Sequence, residues 1–169
     1  LAKLAIKINS SDETLWIILA ETQIANNYYN DAIISFNNAQ KINPKNSEIH
    51  FAKSNIYLRQ SKIKKARNEL KLGLKISPEN FRAIFQSGNI FLMEKNYLRA
   101  IKLFDKSLKI KPDFWQAINN QALAYFEKNN INLSIKLFES AISIEENAEP
   151  LLGLASCINI NDTKLAIQL

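Results

Sequence analysis

The chain repeats itself every 34 residues, and that period limits its fold more than any single motif does. Ile8-Asn9-Ser10, Ile42-Asn43-Pro44, Ile76-Ser77-Pro78, Ile110-Lys111-Pro112 and Ile144-Glu145-Glu146 each begin 34 residues after the one before. Other columns keep step. Ala32, Ala66, Ala100 and Ser134 form one, and Phe36, Leu70, Phe104 and Phe138 another. A third holds small residues at Ala5, Ala39, Gly73, Ser107 and Ala141. A unit of this length is a single supersecondary element that buries its apolar face only by stacking on its neighbours.

Each unit contains two segments of helical apolar period parted by a polar turn, the sequence form of a helical hairpin. In the first unit Trp16, Leu19, Ala20 and Gln23 share one face of a helix near 13–26, and Tyr29, Ala32, Ile33, Phe36 and Ala39 share one face of a second near 30–43. Only three glycines and four prolines occur, and valine is absent, so the punctuation of a β or α/β protein is missing. Small residues at Ala20, Ser54, Gly88 and Ala122 recur in mid-helix, where a missing side chain lets a neighbouring helix pack closely. Asp12, Asn46 and Asn80 stand where a side-chain oxygen accepts from the free N–H groups of the next helix. Pro44, Pro78 and Pro112 follow the second helix of a unit and end it. Asn27, Asn96, and Asn129 with Asn130, supply the turn inside a hairpin, since Asn tolerates a left-handed backbone.

These columns resemble the tetratricopeptide repeat family, whose unit has this period and a terminal Pro. Trp16, Leu19, Ala20, Tyr29, Ala32, Phe36, Ala39 and Pro44 sit where that family places Trp, Leu, a small residue, an aromatic, Ala, Phe, Ala and Pro. Four repeats follow, at 13–46, 47–80, 81–114 and 115–148, with His50, Ile84 and Ile118 in the Trp column and Glu146 in the Pro column. Residues 1–9 read as the end of a preceding second helix, and 149–169 as a partial fifth repeat or capping helices with a short turn at Asn161-Asp162-Thr163. Leu1, Leu4, Ile8, Leu165 and Ile167 leave apolar ends, which points to a piece of a longer protein and to self-association through those ends. The unbroken spacing and repeated Pro argue against the related pentatricopeptide arrays, which read RNA.

The chemical inventory points away from an enzyme. One cysteine, Cys157, and one histidine, His50, exclude an internal disulfide, a Cys-based zinc site and a two-His metal centre. No Gly-rich loop exists to cradle a phosphate, and the cluster Glu145, Glu146 and Glu149 lies at a junction where it caps a helix. His50 reads as a packing residue and Cys157 as a buried thiol. No cofactor or metal is expected. No stretch approaches the roughly 18 consecutive apolar residues of a membrane span, and no secretory leader opens the chain, so the expectation is a soluble, cytoplasmic protein.

Binding is left to the surface. The resemblance implies an all-α, right-handed superhelix of antiparallel hairpins, with the first helix of each unit lining a concave groove that holds a peptide. The fifth position of those helices holds Ile17, Phe51, Phe85 and Asn119, read as an apolar row facing outward. The ninth holds Glu21, Asn55, Asn89 and Leu123, and the sixth includes Gln86 and Asn120. Carboxamides offer both donor and acceptor to an extended backbone, Arg59 and Arg82 attract a carboxylate, and pockets beside Phe51 and Phe85 select large side chains. Members that grip the acidic C-terminal tail of heat-shock chaperones need a Lys/Asn/Arg set. The two possible registers give Ile17, Glu21, Ala52, Arg82 and Gln86, or Phe51, Asn55, Gln86, Gln116 and Asn120, so that partner is not expected.

Charge carries the alternative. Residues 47–114 hold 15 basic and 6 acidic groups, a net of +9 against +6 for the whole chain. Lys62, Lys64, Lys65, Arg67, Lys71 and Lys75, then Arg99, Lys102, Lys106, Lys109 and Lys111, lie on or beside second helices. Second helices face outward in the family this chain resembles, so the resemblance implies a basic convex face that attracts nucleic acid, anionic lipid or an acidic protein. Few aromatics interleave, which argues against base stacking. In some proteins such repeats also accompany a transferase domain elsewhere in the chain.

Overall fold

The computed structural model describes residues 9–145 and 147–167, with side chains through 159. Among them nine α-helices and no strand occur: α1 (Glu13–Ala25), α2 (Tyr29–Ile42), α3 (Ser47–Arg59), α4 (Ile63–Ile76), α5 (Phe81–Met93), α6 (Tyr97–Ile110), α7 (Trp115–Glu127), α8 (Ile131–Ile144) and α9 (Ala148–Ile167). They fall into two compact units, residues 1–78 and 79–169.

In the first unit α1 pairs with α2 and α3 with α4, and α2 also packs on α3. Asp12 and Asn46 cap α1 and α3 by accepting from Thr14 N and Glu48 N at 2.9 and 3.0 Å. The core gathers Ala20, Ala32, Phe36, Ala39, Ile49 and Ile56, with Trp16, Ile17 and Tyr29 against it. Ala20, Ala32 and Ala39 are wholly buried, so the period places its small residues where the helices approach most closely.

In the second unit α5 pairs with α6, α7 with α8, and α9 lies on α8 and α7. Asn80 caps α5 through Ala83 N at 3.0 Å. Gly88 is required: an added Cβ would lie 2.6 Å from the Phe104 ring. Ser107 and Ser134 stand in columns of small residues and satisfy their hydroxyls locally, donating to Phe81 O at 2.9 Å and Ala122 O at 2.8 Å.

All four hairpins turn in the same way, and the left-handed residue is not always the expected Asn. It is Asn27, Ser61, Lys95 and Asn129, with φ of 61, 57, 58 and 59°. The next residue donates back five positions, as Tyr28 N does to Gln23 O and Asn96 N to Phe91 O, both at 2.8 Å. This is a Schellman closure. Asn96 therefore serves as the cap of α6, accepting from Arg99 N at 3.3 Å, while Lys95 takes the strained backbone.

The C-terminal element differs from expectation in one respect. α9 runs unbroken from Ala148 to Ile167, so the turn placed at Asn161-Asp162-Thr163 does not form. It packs through Pro150, Gly153, Leu154 and Cys157, whereas Leu151, Leu152 and Ile158, one period after the buried Ala117, Ile118 and Ala124, remain exposed. The helix has lost the phase of the repeat. The readings placed on residues 1–8, Glu146 and the side chains of Leu165 and Ile167 lie outside the described residues.

Candidate interaction surfaces

In the first unit α1 and α3 border a concavity of about 670 Å³. Ile17, Phe51, Asn55 and Arg59, all singled out from sequence, line it together. Ile17 and Ala52 are half-buried on its floor, and Glu21, Asn55 and Arg59 are exposed at its edge. Phe51 corrects the expected outward-facing row, because it is only 6% exposed. Its ring lies over Gly73 of α4, where a Cβ would come within 2.8 Å of Phe51 Cδ1. Phe51 forms the floor of the hollow and does not project from it. Glu48 and Leu58 also contribute to the wall and were not anticipated, although helical phase from Asn55 and Phe51 reaches both.

The second unit treats the equivalent residues differently. Phe85 is half-buried between Phe104, at 5.8 Å between ring centroids, and Phe114, at 4.9 Å and edge-on. Phe114 also meets Phe81 edge-on at 5.0 Å, and Arg82, exposed, lies 4.9 Å over the Phe81 ring. The pocket expected beside Phe85 is thus filled by Phe114. The signal was visible: Phe114 occupies the column of Asp12, Asn46 and Asn80, and α7 has no side-chain cap. The amides are joined to each other. Asn119 donates to Asn120 Oδ1 at 3.1 Å, and Asn120 donates to Asn89 Oδ1 at 2.8 Å. Asn119 is 3% exposed and takes no part in a free surface, which corrects its placement in the outward row. Asn89, Asn120 and Gln86 are half-buried.

Beside the concavity, in the same unit, His50 belongs to a closed polar ring. Glu69 accepts from His50 Nδ1 at 2.6 Å and from Lys53 Nζ at 3.1 Å. Gln40 Nε2 lies 2.8 Å from His50 Nε2, and Lys53 donates to Gln40 Oε1 at 3.2 Å. Every contact has one donor and one acceptor when the imidazole is neutral and carries its proton on Nδ1. Burial, and then the Glu69 charge, push the Tyr57 phenol above its ordinary range. The packing role given to His50 agrees with this arrangement. Its partners were not foreseen, because Lys53 and Glu69 follow the apolar Leu19 and precede the apolar Leu103 in their columns. Cys157 is buried with its Sγ 3.5 Å from Ser134 Oγ. Among the described residues no group of three or more His, Cys, Asp or Glu is placed to hold a metal.

In each unit exposed basic residues follow one second helix. Lys64, Lys65, Arg67, Lys71 and Lys75 are all exposed on α4, with Lys62 just before it. Lys65 Nζ lies 5.6 Å over the Tyr57 ring, and Lys62 donates to Gln60 Oε1 at 2.8 Å. In the second unit Arg99, Lys102, Lys106 and Lys109 are exposed along α6, and Lys111, exposed just past it, pairs with Asp113 at 2.8 Å. No helix among the described residues is long and apolar enough to cross a membrane.

The tetratricopeptide repeat family matches residues 13–46, 47–80, 81–114 and 116–147. A tetratricopeptide repeat protein from Parabacteroides merdae is 23% identical, with a TM-score of 0.81 over 98% of this chain and 67% of its own. MamA from Desulfovibrio magneticus RS-1 is 16% identical, with a TM-score of 0.80 over 92% of this chain and 89% of its own. The pilF protein of Pseudomonas aeruginosa is 17% identical, with a TM-score of 0.80 over 90% of this chain and 70% of its own. A comparison with curated proteins gave no match. Likeness at these identities shows an all-α helical-repeat solenoid and carries no information about a partner.

Proposed function

We propose, on the premise that the chain belongs to the tetratricopeptide repeat family of protein-interaction scaffolds, that it is a noncatalytic scaffold holding a peptide segment on the first helices of its hairpins. The concavity of the first unit is the anchor. One observation carries this reading: an apolar floor of Ile17, Phe51 and Ala52 meets an exposed polar edge of Glu21, Asn55 and Arg59 around about 670 Å³. A volume of that size accepts one or two large apolar side chains, and burying each is worth about 1.5–3 kcal/mol. Asn55 offers a donor and an acceptor to the guest backbone, Arg59 a fork for a carboxylate, and Glu21 a site for a cation. Neither register of the first helices, Ile17, Glu21, Ala52, Arg82 and Gln86 or Phe51, Asn55, Gln86, Gln116 and Asn120, builds the clamp for acidic chaperone tails, so the proposal does not extend to such a tail.

Selection of peptides from a displayed random library tests the proposal. Peptides enriched on the wild-type chain should carry a large apolar residue and should bind Asn55→Trp at least tenfold more weakly, since the new ring fills the hollow from its exposed edge. Equal binding by the two chains would mean that the peptide does not occupy the concavity.

A further inference from the structure

The outer face of α4 has a property that peptide binding on α1 and α3 does not use. Its exposed charges are all positive: Lys64, Lys65, Arg67, Lys71 and Lys75. The helix contains one carboxylate, Glu69, which is turned inward onto His50 and Lys53. Lys64, Lys71 and Lys75 fall within a narrow stripe at helical spacing, over a length of about 16 Å at 1.5 Å per residue. None of the three forms an ion pair among the described residues. Unpaired like charges at i,i+4, as at Lys71 and Lys75, destabilise a helix slightly, so folding alone does not favour them.

Two aliphatic side chains flank that stripe on one side, Leu72 about 80° and Ile76 about 120° around the helix from it. Leu72 is 37% exposed and Ile76 is 39% exposed, one helical turn apart and each next in sequence to a lysine of the stripe. No aromatic residue occurs on α4. This combination separates the anionic partners from one another. A nucleic acid binds through phosphates and through stacking on rings, and gains nothing from Leu72 and Ile76. A bilayer with anionic headgroups uses both: lysines reach the phosphate and carboxylate groups at its surface, and aliphatic side chains enter the boundary between headgroups and acyl chains.

We infer that the outer face of α4 docks peripherally on an anionic phospholipid surface, with Lys64, Lys71 and Lys75 supplying the electrostatic attraction and Leu72 and Ile76 the insertion. The face is separate from the concavity, so a scaffold held in this way keeps its peptide site available.

Cosedimentation of the 169-residue chain with vesicles tests the inference. The two compositions are phosphatidylcholine alone and phosphatidylcholine with about one third phosphatidylserine. Binding should require phosphatidylserine and weaken as salt is raised. Each lysine near the surface contributes roughly fivefold, so the triple change K64Q/K71Q/K75Q should lower partitioning about 100-fold. These side chains are exposed, and their replacement leaves the core intact. L72S/I76S keeps the charge and should still weaken vesicle binding, whereas Asn55→Trp should leave it unchanged, so this inference and the peptide reading fail separately. Absence of binding to phosphatidylserine vesicles, equal binding to both compositions, or retention by the triple variant would overturn the inference. So would preferential binding of an RNA oligonucleotide unaffected by L72S/I76S, which would assign the face to nucleic acid.

Discussion

Lys53 and Glu69 meet at 3.1 Å with side chains only 8% and 12% exposed, an ion pair held inside the helix packing and tied to His50 and Gln40. Removing one member leaves the other charge buried without its partner. Glu69→Ala should therefore destabilise the protein by about 3–5 kcal/mol in urea unfolding, while the combined change H50L/K53M/E69L should cost far less and can be neutral. A small loss in the single variant would mean that Lys53 reaches water when unpaired.

The left-handed turn residues offer the opposite case. Ser61 and Lys95 hold φ near 57 and 58°, a region that costs an L-residue roughly 1–2 kcal/mol. Ser61→Gly and Lys95→Gly should each stabilise the protein, by about 0.5–1 kcal/mol once the extra freedom of the unfolded Gly is set against the relief. Unfolding midpoints of the two variants and their sum check this. Asn27→Gly should gain less, because Asn already tolerates the conformation.

Close approach at Gly73 links stability to the hollow. A methyl group there cannot fit under the Phe51 ring, so Gly73→Ala should cost about 1–3 kcal/mol and tilt the ring toward the concavity. The second change Phe51→Leu should recover part of that loss. Denaturant titration of the single and double variants measures the coupling.

How far the sequence revealed this molecule depends on whether a feature was local. Hairpins, caps at Asp12, Asn46 and Asn80, and the small column through Ala20 and Ala122 all follow from short-range period and capping chemistry. What the sequence hid is what a side chain does after packing. Phe51 and Phe85 occupy one column, yet Gly73 opens room for the first ring to sink while Phe114 covers the second. Asn89 and Asn120 look like free carboxamides until the fold brings them to 2.8 Å and joins them. Lys95 takes the left-handed position expected of Asn96 because the turn is fixed by its distance from the helix end, whatever residue stands there. α9 carries Leu151 and Leu152 at positions the period would bury, and only its packing through Gly153 against Phe138 reveals the change of phase.

The ring at Phe114 tests the exchange of a cap for an aromatic contact. Phe114→Asn restores the oxygen that caps α1, α3 and α5, worth about 1 kcal/mol, and removes two edge-on ring contacts worth about 0.5–1.5 kcal/mol each beyond their buried area. The net should be destabilising, read as a lower unfolding midpoint, and should vanish when Phe81 and Phe85 are already replaced by Leu.

A peptide seated on the first unit's concavity shifts the backbone amides that surround it, and titration with a library-selected peptide records those shifts. Perturbations should concentrate at Ile17, Glu21, Phe51, Ala52, Asn55 and Arg59, with little change on the outer faces of α2 and α4. Shifts centred on those outer faces or on α9, with the concavity unmoved at saturation, would mean that the peptide binds elsewhere.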